Sequence, residues 1–293
     1  NVNQEKTTDG ATSLFMASEK GNVDLLKVLI NAGCNVNQEK TTDGATSLFM
    51  ASQNGHVDTV KLLIQAGGNV NQAKTTDGTS PLYVVSFNGD VAIVKELIKA
   101  GGNVNQANRN GVSPLFIASQ QGNVAIAKLI IEAGGIVNQH NQDNVAPLNI
   151  ASDEGHTEII RLLLQQPNID LNKKDKWNTT ALGIATKNNH TEIIQLLKDA
   201  GATYTIDVAV AANDIHYIQQ WITDDKEKGI DEINISLYQA SGNGNIDIVK
   251  LFLALKDINI NYSDAEDATQ GATALFVACQ KNHGTIVELL LQQ

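Results

Sequence analysis

Apolar residues along the chain fall into two alternating patterns. The first is short and places Leu and Ala three apart, as at Leu14/Ala17, Leu48/Ala51 and Leu115/Ala118. That spacing predicts a brief helix whose small Ala admits a close neighbour. The second pattern is denser and reads LLKVLI, TVKLLI, IVKELI, IAKLII and IIRLLL. It predicts a second helix, with Lys27, Lys61, Lys95, Lys128 and Arg161 marking its wet edge. Between a second helix and the next first helix the chain is polar and turn-rich. NVNQEKTTDG and its variants predict a projecting, hairpin-like finger.

These parts recur at a fixed period. The Leu that opens the first helix falls at 14, 48, 82, 115, 148 and 182, spacings of 34, 34, 33, 33 and 34. The eighteen residues from Asn1 to Ser18 reappear unchanged from Asn35 to Ser52. Self-similarity at this period predicts a stacked solenoid. Thr12, Thr46 and Ser80 are placed to cap first helices, and Pro81, Pro114 and Pro147 follow at the first helical position. Gly21, Gly55, Gly89, Gly122 and Gly155 mark the turn between helices, and Gly33, Gly67, Gly101 and Gly134 end the second helix in the left-handed cap position.

GATSLFMASQNGHVDTVKLLIQAGGNVN and GVSPLFIASQQGNVAIAKLIIEAGGIVN closely resemble the ankyrin repeat. The resemblance covers nearly the whole chain and implies an all-α solenoid of helix-turn-helix units with projecting fingers. One departure is systematic. The family's usual His after Leu is Phe15, Phe49, Tyr83, Phe116, Asn149 and Gly183, so apolar packing is expected where the family has a hydrogen bond. Six regular repeats span 1–202, and divergent repeats 7–9 continue the same solenoid over 203–293. The seventh, Ile206 to Ile222, is degenerate. The spacings Leu182–Ile206, Ile206–Leu237 and Leu237–Leu275 are 24, 31 and 38. Repeat 7 is therefore expected to lack a finger and repeat 9 to follow an enlarged one, with a break in curvature near 203–233. Asn1 enters within a finger and Gln293 ends within a second helix, so a longer parent chain is expected.

Composition narrows the picture. Hydrophobic residues make up 42% and aromatics only 4%, so the core must be built from Leu, Ile, Val and Ala. Residues 1–200 carry 16 Lys and Arg against 19 Asp and Glu, and residues 201–293 carry 5 against 13. Those charges, −3 and −8, make up the total of −11 and disfavour nucleic acid and anionic membrane as partners. The acidic segments Asp224–Glu232 and Asp264–Asp267 fall in the irregular connections, as a solvated surface or a face for a basic patch on a protein partner. No apolar run is long enough to span a bilayer. Cys34 and Cys279, eight repeats apart, are expected to be small buried thiols, not a disulfide.

No catalytic or metal signature stands out. His56, His156, His190 and His283 occupy or adjoin the turn between helices, which accounts for them without chemistry. HExxH, paired CxxC and EF-hand loops are absent, no cofactor is indicated, and Gly242-Asn-Gly244 is expected on an inter-helix turn. The family resemblance implies a concave surface of finger tips and first helices that holds a protein partner. Residues that break the repeat there are the candidates. Phe87 is apolar where Glu19, Gln53, Gln120, Asp153 and Lys187 are polar. At the tips, Arg109-Asn110, Gln142-Asp143 and Lys176-Trp177 replace Thr-Thr. Phe87, Arg109 and Trp177 are expected to form one concave stripe over repeats 3–6, joined by Asn110, Gln120, Gln142 and Lys176. Trp177 has a rival role, packing on a neighbouring finger, while Trp221 is expected in the core.

The reading is a monomeric, intracellular protein-interaction module without catalysis of its own. One alternative is a targeting or scaffold segment of a larger enzyme or of a bacterial effector delivered into host cytoplasm. A structural spacer is the other, and the near-identical repeats 1 and 2 would serve it.

Overall fold

The computed structural model describes residues 2–6, 8–177, 179–223, 229–256, 258–263 and 271–293. Among them are eighteen α-helices and no strand. The chain forms two compact units, residues 1–169 and 170–293.

The first unit holds five helix pairs: α1 (Ser13–Glu19) with α2 (Val23–Asn31), α3 (Ser47–Gln53) with α4 (Val57–Gln65), α5 (Pro81–Asn88) with α6 (Val91–Lys99), α7 (Pro114–Gln120) with α8 (Val124–Glu132), and α9 (Pro147–Asp153) with α10 (Thr157–Leu164). First helices stack on first helices and second on second, as the two hydrophobic patterns predict. Thr12, Thr46, Ser80 and Ser113 each accept the backbone N–H three residues on, at 3.2 Å. Each such cap stabilises its helix by about 1 kcal/mol. Buried Ser18, Ser86, Ser119 and Ser152 donate to carbonyls four residues back, at 2.7–2.8 Å, so these small polar residues cost little inside the stack. Leu48, Leu63, Leu82, Leu97 and Leu115 are fully buried.

Each finger closes on itself through a pair of backbone bonds. One runs from Lys40 N–H to the Ala45 carbonyl at 2.9 Å, Lys74 to Thr79 at 2.9 Å, Asn108 to Val112 at 3.0 Å and Asn141 to Val145 at 3.0 Å. The other returns from Gly44, Gly78, Gly111 and Asn144 to the carbonyls of Lys40, Lys74, Asn108 and Asn141. The fingers also bond to one another. Thr75, Arg109 and Gln142 donate their N–H groups to the tip carbonyls of Asp43, Asp77 and Asn110 in the preceding finger, at 2.9, 2.8 and 3.0 Å. At the finger bases Asn37, Asn71 and Asn105 donate to the carbonyls of Gly67, Gly101 and Gly134, at 3.1–3.2 Å. The same three side chains accept the N–H groups of Asn69, Asn103 and Ile136. Each Asn thus clamps two points of the following repeat.

The second unit holds α11 (Ala181–Lys187) with α12 (Thr191–Asp199), α13 (Ile206–Ala211) with α14 (Ile215–Thr223), α15 (Ile230–Asn243) with α16 (Ile246–Leu253), and α17 (Ala274–Gln280) with α18 (Gly284–Leu291). Ile206, Ala209, Ile218, Leu237, Ile248 and Phe252 form its core, with Trp221 half-buried against it. The expected missing finger is present as an omission. Residues 200–205 alone join α12 to α13, whereas residues 32–46 join α2 to α3. The connection before α17, residues 254–273, is the longer one expected. Helix α13 stacks on α11 before it and on α15 after it, so the row of first helices continues through the irregular repeat.

Three features differ from the sequence reading. Helix α15 runs fourteen residues and begins seven before Leu237, where other first helices begin one residue before their Leu. Gly242 therefore lies in its last turn, and only Gly244, with φ 79°, is the cap. Cys34 is half-buried, its thiol 3.7 Å from the Val2 carbonyl, and Cys279 is exposed; both are free thiols. Asp224–Lys228 and Asp264–Asp267 of the acidic segments lie outside the described residues, as does Asn178.

A tyrosine pair stands where the finger is missing. The rings of Tyr204 and Tyr217 meet edge-on at 4.9 Å. Tyr204 donates to the Asp214 carboxylate at 3.1 Å, and Tyr217 donates to the Tyr204 carbonyl at 2.9 Å. Burial, and then Asp214, pushes the Tyr204 phenol up to about 12. An unfolded tyrosine loses its proton near pH 10. The folded state therefore holds the proton more tightly, and this contribution is complete below pH ~10 and lost as pH rises toward ~12. Denaturation midpoints of the second unit should fall over that window, and Tyr204→Phe should flatten the decline. An unchanged pH slope in that variant would contradict the assignment.

Candidate interaction surface

The surface is built where a finger turns into a first helix. Phe15 and Phe49 are buried there against Ala11 and Ala45, so the apolar packing expected in place of the family's hydrogen bond is present. Lys40 and Lys74 lie over these two rings, each 5.6 Å from the centroid. Lys74 also pairs with Asp77 at 3.6 Å. Burial pushes the Asp77 carboxyl up, but hydrogen bonds from Thr79 and the Lys74 charge outweigh it and hold the group below its usual range. Burial, then Asp77, raises the Tyr83 phenol. Finger and first helix are thus joined by a belt of Lys, carboxylate and aromatic groups. The sequence carried a signal for it: Lys40 and Lys74 share one repeat position, as Phe15 and Phe49 do.

The pattern-breaking residues divide by role. Phe87, at the end of α5, is 50% exposed. Its neighbour Asn88 is structural and donates to the Gln53 carbonyl of the preceding repeat at 2.7 Å. Arg109 is exposed, yet its guanidinium donates to the Thr75 carbonyl and its N–H to Asp77. Gln142 donates through its side chain to the Arg109 carbonyl at 2.7 Å. These long polar side chains therefore help hold the ladder of fingers. Asn110 is exposed at its tip, and Gln120 is half-buried, with its carbonyl taking the His156 ring nitrogen at 2.9 Å. The first unit thus brings Phe87, Arg109, Asn110, Gln120 and Gln142 onto its finger tips and first-helix ends.

Lys176 and Trp177 belong to the second unit. Asp175, buried, accepts the N–H groups of Trp177 at 2.9 Å and Thr179 at 2.8 Å, and so fixes the turn. Trp177 is 51% exposed, with the Lys176 ammonium 4.5 Å from its ring centroid.

His56, His156 and His283 act as inter-repeat braces. His56 meets the Glu19 carbonyl at 3.0 Å and His283 the Gly242 carbonyl at 3.1 Å. Among the described residues no cluster of His, Cys, Asp and Glu is placed to hold a metal ion, and no helix is long and apolar enough to cross a membrane.

A family model described as ankyrin repeats, three copies to a match, fits residues 1–74, 66–141, 133–208 and 206–293. No curated protein matches the chain.

Proposed function

The chain belongs to the ankyrin-repeat family, whose repeats serve as protein-interaction modules, and from that premise we propose that it binds a partner protein on its finger tips and first-helix ends, with no catalysis of its own. The observation that carries this reading is Phe87. An aromatic side chain stands half exposed there, at a position that is polar in the other regular repeats. Exposed aromatic anchors are what interfaces use. Asn110 and the finger backbone around Arg109 supply polar contacts beside it, and Lys176 with Trp177 offers a second anchor on the other unit. Two free thiols suit a reducing compartment.

The test is crosslinked capture from cell lysate with the wild-type chain and with a Phe87→Ala, Asn110→Ala variant of unchanged ellipticity. A partner held about thirtyfold more weakly by the variant is expected. Equal capture by both would remove the first unit from the interface. A chain that retains no partner at all would favour the spacer reading. Arg109 stays unaltered in this test, because its loss would also loosen the fingers.

A further inference from the structure

Phe15, Phe49 and Phe116 stand at one repeat position of their first helices and are 5%, 3% and 5% exposed, each with a following helix pair stacked on its own. Phe276 holds that position in α17 with the same cap. Its N–H donates to the Thr273 hydroxyl at 3.2 Å, as the Phe15 N–H donates to Thr12. Yet Phe276 is 57% exposed. Among the described residues no helix pair stacks on the outer side of α17 and α18, nor on that of α1 and α2. At the latter, Leu25 is 45% exposed, whereas Thr59, Ile93, Ile126 and Ile159 at the same repeat position are buried. Met16 is exposed too, whereas its counterpart Met50 packs against the cluster of Phe15 and Phe49. A repeat that closes a stack carries a polar outer face, and these two faces are apolar.

The two faces also match each other. Residues 1–18 duplicate 35–52, so α1 and its finger present outward the groups that α3 and its finger present to Phe15. Those groups are Ala45, in one cluster with Phe15, and Lys40, 5.6 Å from the ring centroid. Their duplicates are Ala11 and Lys6. Lys6 pairs with Asp9 at 3.9 Å, as Lys74 pairs with Asp77 while lying over Phe49, so the ion pair leaves room for a ring contact. Asn22 is matched as well. From its repeat position Asn123 and Asn245 donate to the carbonyls of Ser86 and Val210 in the preceding repeat. The corresponding carbonyl of the last repeat is that of Cys279.

We propose that copies of this chain associate head to tail, with α17 and α18 of one copy stacked on α1 and α2 of the next. Phe276 then enters the place against Ala11 and Lys6 of the second copy that Phe15 occupies against Ala45 and Lys40. The contact is heterologous, so each copy added leaves one face of each kind open. Phe87 and Asn110 lie on α5 and on the finger after α6, outside the contact, so the proposal stands apart from the partner reading. The monomer expected from the sequence is then the dilute form. Apolar burial drives the association. Residues 1–34 carry three Lys against four Asp and Glu, and residues 254–293 two against five. The net charges of −1 and −3 therefore repel mildly, and salt screens that repulsion.

Sedimentation velocity of the full 293-residue chain tests the proposal, from micromolar to millimolar concentration. The weight-average sedimentation coefficient should rise throughout, without a plateau at the dimer, and rise no less in high salt. Phe276→Lys and Leu25→Glu should each weaken association about thirtyfold with unchanged ellipticity. An equimolar mixture of the two variants should give dimers and nothing larger, because one intact face of each kind remains. Phe87→Ala should change nothing. A wild-type chain that stays monomeric throughout would overturn the proposal. So would a mixture that stays monomeric, oligomers that persist in either single variant, or association that fades as salt rises.

Discussion

Replacing Phe252 by Ala should destabilise the second unit by about 3–5 kcal/mol, the cost of emptying a large, fully buried aromatic site. Phe252 is the largest fully buried side chain among the described residues and stands in α16 amid Ile248, Leu237 and Leu290. Phe252→Leu keeps most of the volume and should cost less than about 1.5 kcal/mol. The readout is unusually selective. Both tryptophans, Trp177 and Trp221, lie in the second unit, so indole fluorescence follows that unit while helical ellipticity follows both. The fluorescence midpoint in denaturant should fall sharply in Phe252→Ala. A variant with an unchanged midpoint would mean that the α16 core relaxes around the loss.

Gly78→Val should weaken the first unit by roughly 2–4 kcal/mol through two separable effects. Gly78 has φ 75°, which a β-branched residue resists. A Cβ there would also lie 3.0 Å from the Arg109 backbone nitrogen. That nitrogen donates to the Asp77 carbonyl at 2.8 Å, so the collision falls on the bond joining two fingers. Gly78→Asn distinguishes the two effects. Asn144 occupies the corresponding place in a later finger at φ 57°, so Asn relieves the backbone strain and retains the collision. Hydrogen exchange at the Arg109 amide should accelerate in both variants, and global stability should fall further in Val. Protection of that amide in either variant would show that the ladder bond yields without breaking.

Much of this architecture was legible because each local signal repeats. Pro81, Pro114 and Pro147 begin helices, Gly33 and Gly67 end them, and the 24-residue spacing from Leu182 to Ile206 marks the omitted finger. The long α15 was not legible. Its added turns contain Asn234 and Ser236, polar residues that read as loop but are buried, with Asn234 accepting the Asn259 N–H at 3.0 Å. Polarity in sequence does not reveal a hydrogen bond to a residue twenty-five positions on. Phe87 was recognisable as a candidate because it breaks an apolar–polar pattern, which is a one-residue comparison. The guanidinium of Arg109 and the amide of Gln142 were harder, since a long polar side chain at a tip can serve a partner or the next backbone equally well. Cys279 misled for a related reason. Its residue type favours burial, whereas its place near the end of α17 faces outward.

The clamps made by Asn37, Asn71 and Asn105 are chemically the same joint used three times. Any two adjoining modules of the first unit are therefore interchangeable partners at that seam. A chain that gained or lost one whole period at its duplicated eighteen-residue stretch would still close at every seam. The second half has no such licence, because the Tyr204–Tyr217 joint has no duplicate to slide onto. Length can thus change by whole periods in the first unit without a new kind of joint, and across the Tyr204–Tyr217 joint it cannot.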